Sequence, residues 1–279
     1  MKTNLDDLES LKYYLALCLV PQVGPILGRN LIKYFGHPAE IFKASIQRLE
    51  KVPSIGQATA LQIKKFDNFE RAEEEIDFIN KNKVKVMTID KNNYPSRLKL
   101  IPDAPLVLFQ LGNGNLEVPK CIGIVGTRNM SAYGYTLIKE LIEGLKSFEI
   151  SVISGMAYGV DFAAHQLSLH NKIPTFSVMA HGLDKFYPTD HSETGIKMLK
   201  NGGIITEYFS KTNPDKENFP TRNRVVAGLV DALIVVETKI KGGAMITAEI
   251  ANSYHREVFA YPGRTTDKFS SGCHDLIKK

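Results

Sequence analysis

The sequence predicts an α/β fold: an extended Rossmann-like parallel sheet with helices on both faces, preceded by a small all-helical domain. Three observations predict it. From Lys120 onward, short β-rich runs alternate with helical ones, the mark of a parallel sheet covered on both sides. The first of those runs, KCIGIVGTRNMSAYGY (residues 120–135), breaks from an apolar strand into a glycine turn, an arginine, a serine and a helix. Before residue 80 the apolar positions fall at helical spacing.

Bulk properties narrow the class. A chain of 279 residues, 43% hydrophobic, can bury a sizeable core and suits one large domain plus a small one. The expected division is a helical domain over 1–80, a short strand and connector packing on the Rossmann domain over 81–119, and the Rossmann-like domain over 120–279. The net charge of +5 is compatible with nucleic acid but too mild to argue for it unaided. Cys18, Cys121 and Cys273 are widely spaced and form no CxxC pair, which fits neither a disulfide framework nor a zinc site. No basic-plus-apolar leader is visible at the N-terminus, and no apolar run approaches the roughly eighteen residues of a membrane span. The expectation is a cytoplasmic protein with no membrane partner.

Taken in order, Leu8, Leu11, Tyr14 and Leu15 mark a first helix that breaks at VPQVGP (20–25). The pattern resumes from Ile26 through Tyr34 and stops at Gly36 and Pro38. In LEKVPSIGQATALQI (49–63) the spacing of Leu49, Val52, Ile55, Gly56 and Ala60 resembles a helix-hairpin-helix, with VPQVGP as a degenerate first copy. Residues 1–90 carry a net charge of only +1, against +4 for the remainder. A packing or partner module that keeps the hairpin shape without gripping DNA is therefore the preferred reading. Glu73, Glu74 and Glu75 read as a solvated helix face. VKVMTI (84–89) reads as a strand, and residues 94–115 as a connector with an apolar middle, LVLFQL.

In the second domain, strands are expected at 121–125, 151–154, 174–179, 203–207, 231–237 and 257–261. Helices are expected at 131–148, 159–170, 192–200, 221–229, 245–254 and 272–278. Ligands of such sheets meet the loops beyond the carboxyl ends of the strands. Gly126 lets backbone amides approach a ligand, Ser131 suits an N-cap, and Arg128 adds a fixed fork of donors, so this loop reads as an anion site. Arg222, Asn223 and Arg224 follow Phe219 and Pro220 and open a helix. One of those arginines is expected to pair with a carboxylate such as Glu207 or Asp231. Gly242, Gly243 and Thr247 repeat the glycine-then-helix arrangement. Tyr133, Tyr158, Phe186, Tyr187 and Phe219 are the candidates for base stacking, of which two are expected to serve.

Other chemistries lack their residues. The first loop has Gly123 and Gly126 but no G-x-G-x-x-G, and the second strand ends in Ser154 and Gly155 where an NAD enzyme places an acidic residue. His181, His191, His255 and His274 have no metal-ligand spacing, and Asp161 and His165 share a helix face without further ligands, so no metal or cofactor is expected. No nucleophile elbow is present. GGAMITAE echoes the GG-x-G-T-x-x-E motif of nucleotide phosphoribohydrolases, with Met245 at the third glycine and Thr247 one place late, and this enzyme is the alternative reading.

The set IGIVGTRNMSAYG, SGMAYGVDFAAH, GLDKFYP, FPTRNRVVAGLVDALIVVET, GGAMITAEIA and REVFAYPG, in order over residues 120–263, resembles the DprA (Smf) family of DNA-processing proteins. The resemblance implies an extended Rossmann domain after a SAM-like helical domain, no catalysis, single-stranded DNA as ligand, loading of the RecA recombinase during natural transformation, and a homodimer. Carried over, Gly126, Thr127 and Arg128 match the family's phosphate contact; Ser154, Gly155, Gly159 and Asp161 match its second loop; and Arg222, Asn223 and Arg224 match its R-N-R. Gly243 and Thr247 match its glycine-and-threonine loop, where Lys241 and Met245 depart from the usual types. After Tyr187 and Pro188 the family's lysine is replaced by Thr189, so Lys185 is the stand-in. The resemblance also places His274, Leu276 and Ile277 in a self-associating last helix; many members run on into a winged helix, and because the sequence stops at LIKK none is expected here.

Overall fold

The computed structural model describes residues 5–278. Its contacts divide the chain into two units: residues up to Tyr94 together with Pro102–Phe109, and Pro95–Ile101 together with residues from Gln110 onward. Residues 81–119 are thus shared between the units, and the division falls later than residue 80.

The first unit opens with α1 (Leu5–Leu19), α2 (Pro25–Phe35), α3 (Pro38–Lys43), α4 (Ile46–Leu49), α5 (Gln57–Lys65) and α6 (Phe69–Asn82). Two turns repeat one design. Gln22 and Ser54 take φ of 67° and 68°, and Val23 and Ile55 donate back to Val20 and Val52 at 3.1 Å each. Gly24 and Gly56 then start α2 and α5 in extended backbone without a side-chain cap. The degenerate first hairpin read from VPQVGP is therefore a true structural copy of the second. Tyr14, Leu15, Leu31, Ile41, Leu49 and Ile63 are almost wholly buried in this unit. β1 (Lys85–Thr88) follows, with β2 (Val107–Leu111) as its neighbour. β2 corrects the connector expected there: within LVLFQL, Val107–Leu111 form a strand, buried through residue 110.

In the second unit, after α7 (Ser96–Lys99), come β3 (Lys120–Gly126), α8 (Ala132–Leu145), β4 (Ile150–Ser154), α9 (Val160–His170) and β5 (Thr175–Val178). α10 (Ser192–Met198), β6 (Gly203–Thr206), α11 (Asn218–Leu229), β7 (Ala232–Val236), α12 (Gly243–Ser253), β8 (Glu257–Ala260) and α13 (Ser271–Lys278) complete it. The strands run parallel in the order β6-β5-β4-β3-β7-β8, with the crossover from β3 to β7 beside the first strand–helix turn. Parallel strands of this kind are buried on both faces and so read as continuous β-branched runs. On one face Ile124, Val152 and Ile234 pack with Ile138 and Ile142 of α8 and Ala163, Ala164 and Leu167 of α9. α11 and α12 pack against β3 as well and against each other. The carboxyl ends of β3, β4 and β7 thereby meet the starts of α9 and α12, as the crevice rule for open sheets requires.

Candidate nucleic-acid interface

A cleft of about 400 Å³ opens at those strand ends. The β3 loop contributes Gly126, Thr127, Arg128 and Asn129; the β4 loop Gly155, Ala157 and Asp161; α11 Phe219, Arg222 and Asn223; and the β7 loop Thr238, Lys239, Gly243 and Thr247. Eight of the thirteen binding residues expected from the sequence line it: Gly126, Thr127, Arg128, Gly155, Arg222, Asn223, Gly243 and Thr247.

The β3 loop is held by its neighbours. Thr127 N–H donates to the Glu237 carbonyl at 2.7 Å, and Thr127 Oγ1 accepts from Asn129 N–H at 3.1 Å. Gly159 takes φ +76°, and a side chain there would run into the Thr127 and Arg128 backbone, so glycine lets the two loops abut. Arg128 itself is exposed.

Arg222 is 7% exposed. Its guanidinium donates to the Val178 carbonyl and, at 3.2 Å, to Asn223 Oδ1. A Cβ on Gly155 would lie 2.8 Å from this guanidinium, so the bare backbone is what admits it. Burial pulls the Arg222 pKa down, Asp161 opposes that, and Arg128 adds to it. Asp161 is the one carboxylate among the described lining residues; Ala157 N–H donates to it at 3.3 Å, and burial pushes its pKa up against the attraction of Arg222. One ring joins the cations: Arg128 lies 5.9 Å and Arg222 6.0 Å from the centre of Phe219. Tyr187, half exposed, has its ring 6.2 Å from that of Phe219.

On the opposite wall α12 starts at Gly243 after an N-cap glycine that supplies no side-chain hydrogen bond. No heavy atom lies within 4 Å of where a Gly243 side chain would sit, so the end of the helix faces open space. The first amides of a helix carry partial positive charge and lack internal acceptors. Together with Arg128, Arg222 and Lys239 they suit phosphate oxygens.

The other five expected residues sit elsewhere, each for a physical reason. Ser131 caps α8, accepting from Gly134 N–H at 3.1 Å, but its own N–H donates to Glu237 at 2.8 Å and its hydroxyl donates to the same carboxylate. The anion at that helix end is the protein's own Glu237. Ser154 is fully buried and donates to the Ile124 carbonyl at 2.6 Å, tying β4 to β3. Gly159 supports the loops as described. Lys185 reaches Asn213 and does not line the cleft. Arg224 is paired with Glu207, the partner anticipated for one of the two arginines. A further correction concerns the R-N-R triplet: α11 starts at Asn218, so these residues occupy its second turn and their own side chains, not a helix end, carry the charge.

Of the stacking candidates, Phe219 lines the cleft and Tyr187 adjoins it. Tyr133 donates to the Pro262 carbonyl at 3.1 Å, Tyr158 to Asp190 at 3.0 Å, and Phe186 packs on α10 at Gly195. Lys239, Phe269 and Asn129 were missed as site residues. Lys239 is a cation three residues before the glycines Gly242 and Gly243 and was legible; Phe269 comes from thirty residues further on, under the Lys239 ammonium at 5.3 Å, and carried no signal. Glu249, the carboxylate of the phosphoribohydrolase echo, is exposed on α12 and does not line the cleft. Among the described residues no group of three or more His, Cys, Asp or Glu is placed to hold a metal ion, and no helix is long and apolar enough to cross a membrane.

Comparison with known proteins decides the family. Residues 85–279 match the family model for DNA recombination-mediator protein A. The chain belongs to the DprA family. The DNA processing protein DprA of Streptococcus pneumoniae is 40% identical over 187 residues, 67% of this chain and 66% of that protein. The protein Smf of Synechocystis is 32% identical over 273 residues, 95% of this chain and 68% of it. The chain therefore spans about two thirds of the length of these DprA relatives. The X-ray structure of S. pneumoniae DprA superimposes with a TM-score of 0.81 and 30% identity, covering 100% of this chain and 93% of that one. A DprA structure from Helicobacter pylori, described for its single-stranded DNA binding mode, matches with a TM-score of 0.64 and 28% identity over 70% of this chain and 87% of that one. The DprA family model is that of a recombination mediator, not of an enzyme.

Proposed function

We propose that this DprA-family chain binds single-stranded DNA along the cleft at the strand ends and acts in the cytoplasm as a recombination mediator that loads RecA during natural transformation. One observation carries the reading: Arg128 and Arg222 converge on the Phe219 ring across from the open start of α12. Charge-assisted donors on two walls track a backbone of any sequence, and an aromatic flanked by guanidinium groups takes a base face. The H. pylori relative described by its single-stranded DNA binding mode supports the same ligand. The chain works as a homodimer through α13, where Ile277 is 54% exposed, Leu276 is half-buried, and His274 Nε2 bonds the Gly263 carbonyl at 2.8 Å.

Fluorescence anisotropy with an oligothymidylate and with a duplex of equal length, at two salt concentrations, tests the ligand. The single strand is expected to bind more tightly, with affinity falling steeply with salt, and Arg128→Ala is expected to weaken it at least about tenfold. Unchanged affinity in that variant defeats the assignment of the cleft. Sedimentation of Ile277→Glu tests the dimer, and RecA filament assembly with and without the chain tests the loading step.

A further inference from the structure

Among the described residues two aromatic rings line the strand-end cleft, Phe219 from α11 and Phe269 from the segment between β8 and α13. Phe219 has the guanidinium groups of Arg128 and Arg222 about it; Phe269 has the Lys239 ammonium over it, 5.3 Å from the ring centre. The cleft thus repeats one combination, a ring with a cation, at two places. Its volume of about 400 Å³ is that of a small-molecule site, so one short stretch of strand can reach both rings.

Phe269 is held there by its own segment. It is the one apolar residue in the run RTTDKFSS (264–271), of which residues 264–268 are exposed. The run closes on itself: Arg264 N–H donates to the Asp267 carboxylate at 2.9 Å, Asp267 N–H to the Arg264 carbonyl at 3.0 Å, and Ser270 N–H to the Asp267 carbonyl at 3.2 Å. It is then pinned to the β7 loop, because Gly272 N–H donates to the Thr238 carbonyl at 2.9 Å and a side chain at Gly272 would run into the Lys239 carbonyl. Ser270 is buried and Phe269 half-buried, so the chain is fixed beside the ring while part of the ring stays open to the cleft. An apolar ring standing part-exposed in a polar loop, beside a cation and on the wall of a cationic cleft, is what a nucleobase stacks on.

We propose that Phe269 is a second stacking platform, so that the cleft seats two bases of one strand, one against Phe219 and the other against Phe269, with Lys239 on a phosphate beside them. This rests on the single-stranded DNA reading above and adds a residue to it. A platform of this kind meets base faces and no phosphate. Its loss therefore lowers affinity alike at every salt concentration, whereas loss of Arg128 flattens the salt dependence. The bases of a duplex are already stacked on one another and gain nothing from the ring, so Phe269 is one source of the preference for a single strand.

The sequence has no tryptophan, which makes the position directly readable. In the full chain, Phe269→Trp carries the sole indole. Its fluorescence is expected to be quenched by oligothymidylate and left unchanged by an abasic strand of equal length, whose binding is followed by anisotropy in parallel. Phe269→Ala is expected to lose at least about fivefold in oligothymidylate affinity, the low end of what stacking on one base supplies, with an unchanged salt slope and unchanged sedimentation. It should bind a duplex and the abasic strand as the wild type does; should it fail to fold, the tryptophan variant decides alone. An indole that oligothymidylate binds without quenching, or an affinity loss of equal size for the abasic strand, would overturn the platform and leave the cleft assignment standing. Wild-type chain that does not bind oligothymidylate, or Arg128→Ala that binds it unchanged, would bring down the reading on which the platform rests.

Discussion

Ser131 and Glu237 close the helix end that the sequence offered as a phosphate site: the backbone N–H and the hydroxyl of Ser131 both donate to the Glu237 carboxylate, the former at 2.8 Å. Glu237 adopts φ of 54°, and its carbonyl also fixes Thr127, so one residue settles both the start of α8 and the β3 loop. That helix end is thereby closed by the chain's own carboxylate, whereas the start of α12 is open.

Glu237→Gln keeps one acceptor for Ser131, replaces the other with an amide donor, and removes a negative charge beside the cleft. Two effects oppose each other: loss of the helix-end charge costs about 0.3–1 kcal/mol of stability, and loss of repulsion favours phosphate. The expected outcome is a slightly lower melting temperature together with single-strand affinity raised a few-fold at low salt, the gain vanishing at high salt. Paired melting and anisotropy measurements check it. Weaker binding would mean that the carboxylate serves the loop's geometry more than it repels the ligand.

Arg222 and Arg224 lie two residues apart and should behave oppositely. Arg224 and Glu207 have side chains 10% and 14% exposed, so Arg224→Ala leaves a poorly hydrated carboxylate and is expected to cost about 3 kcal/mol or more of stability. Oligonucleotide affinity of the folded fraction should hardly move. The double variant Arg224→Met, Glu207→Leu, which removes both charges, is expected to recover most of the loss in a urea titration. A fall in affinity that persists in the stable double variant would place Arg224 in the binding surface.

Gly243→Asp separates helix stability from phosphate binding at one position. The site has open space for a side chain, and an acidic residue in the first turn stabilises a helix by about 0.3–1 kcal/mol. The same charge faces any phosphate at the α12 end. Stability is expected to hold or rise while single-strand affinity falls at least about tenfold. Gly243→Ser, neutral and of similar size, should bind nearly as the wild type does; equal losses in both variants would indicate crowding instead of charge.

Much of this was legible because the sheet is parallel and buried. Runs such as IGIVG, ISVIS and ALIVV need no alternation to announce themselves, and the strands they form fall within two residues of the expected bounds. β2 was not, because LVLFQL stands between proline- and glycine-rich segments that read as a connector. The start of α11 was misplaced for a related reason: Phe219-Pro220 looks like a break, yet proline is tolerated in a first helical turn, where no internal acceptor awaits its missing N–H. At the site, glycines and arginines revealed which loops matter. Which amide, hydroxyl or guanidinium was already engaged by Glu237, Ile124 or Glu207 depends on contacts between residues far apart in sequence, and no spacing encodes that.

His165 supplies a pH dependence with a definite sign. The ring is fully buried between α9 and the sheet, with Nδ1 bonded to Thr175 Oγ1 at 2.7 Å, and burial, reinforced by His191 and Arg222, pushes its pKa down to about 3 from 6.5. The folded state therefore holds His165 neutral while the unfolded chain protonates it, so stability is complete above pH 6.5 and declines as the pH falls towards 3. The slope for one such group is about 1.4 kcal/mol per pH unit within that window. Between pH 7.5 and 5 the chain is expected to lose roughly 2 kcal/mol from this residue, with His181, also depressed by burial, adding to the loss. Urea unfolding across that range, compared with His165→Gln, checks it: the variant begins less stable at pH 7.5, and its curve should be flatter by about the His165 share. Parallel curves would mean that the acid sensitivity arises from other groups.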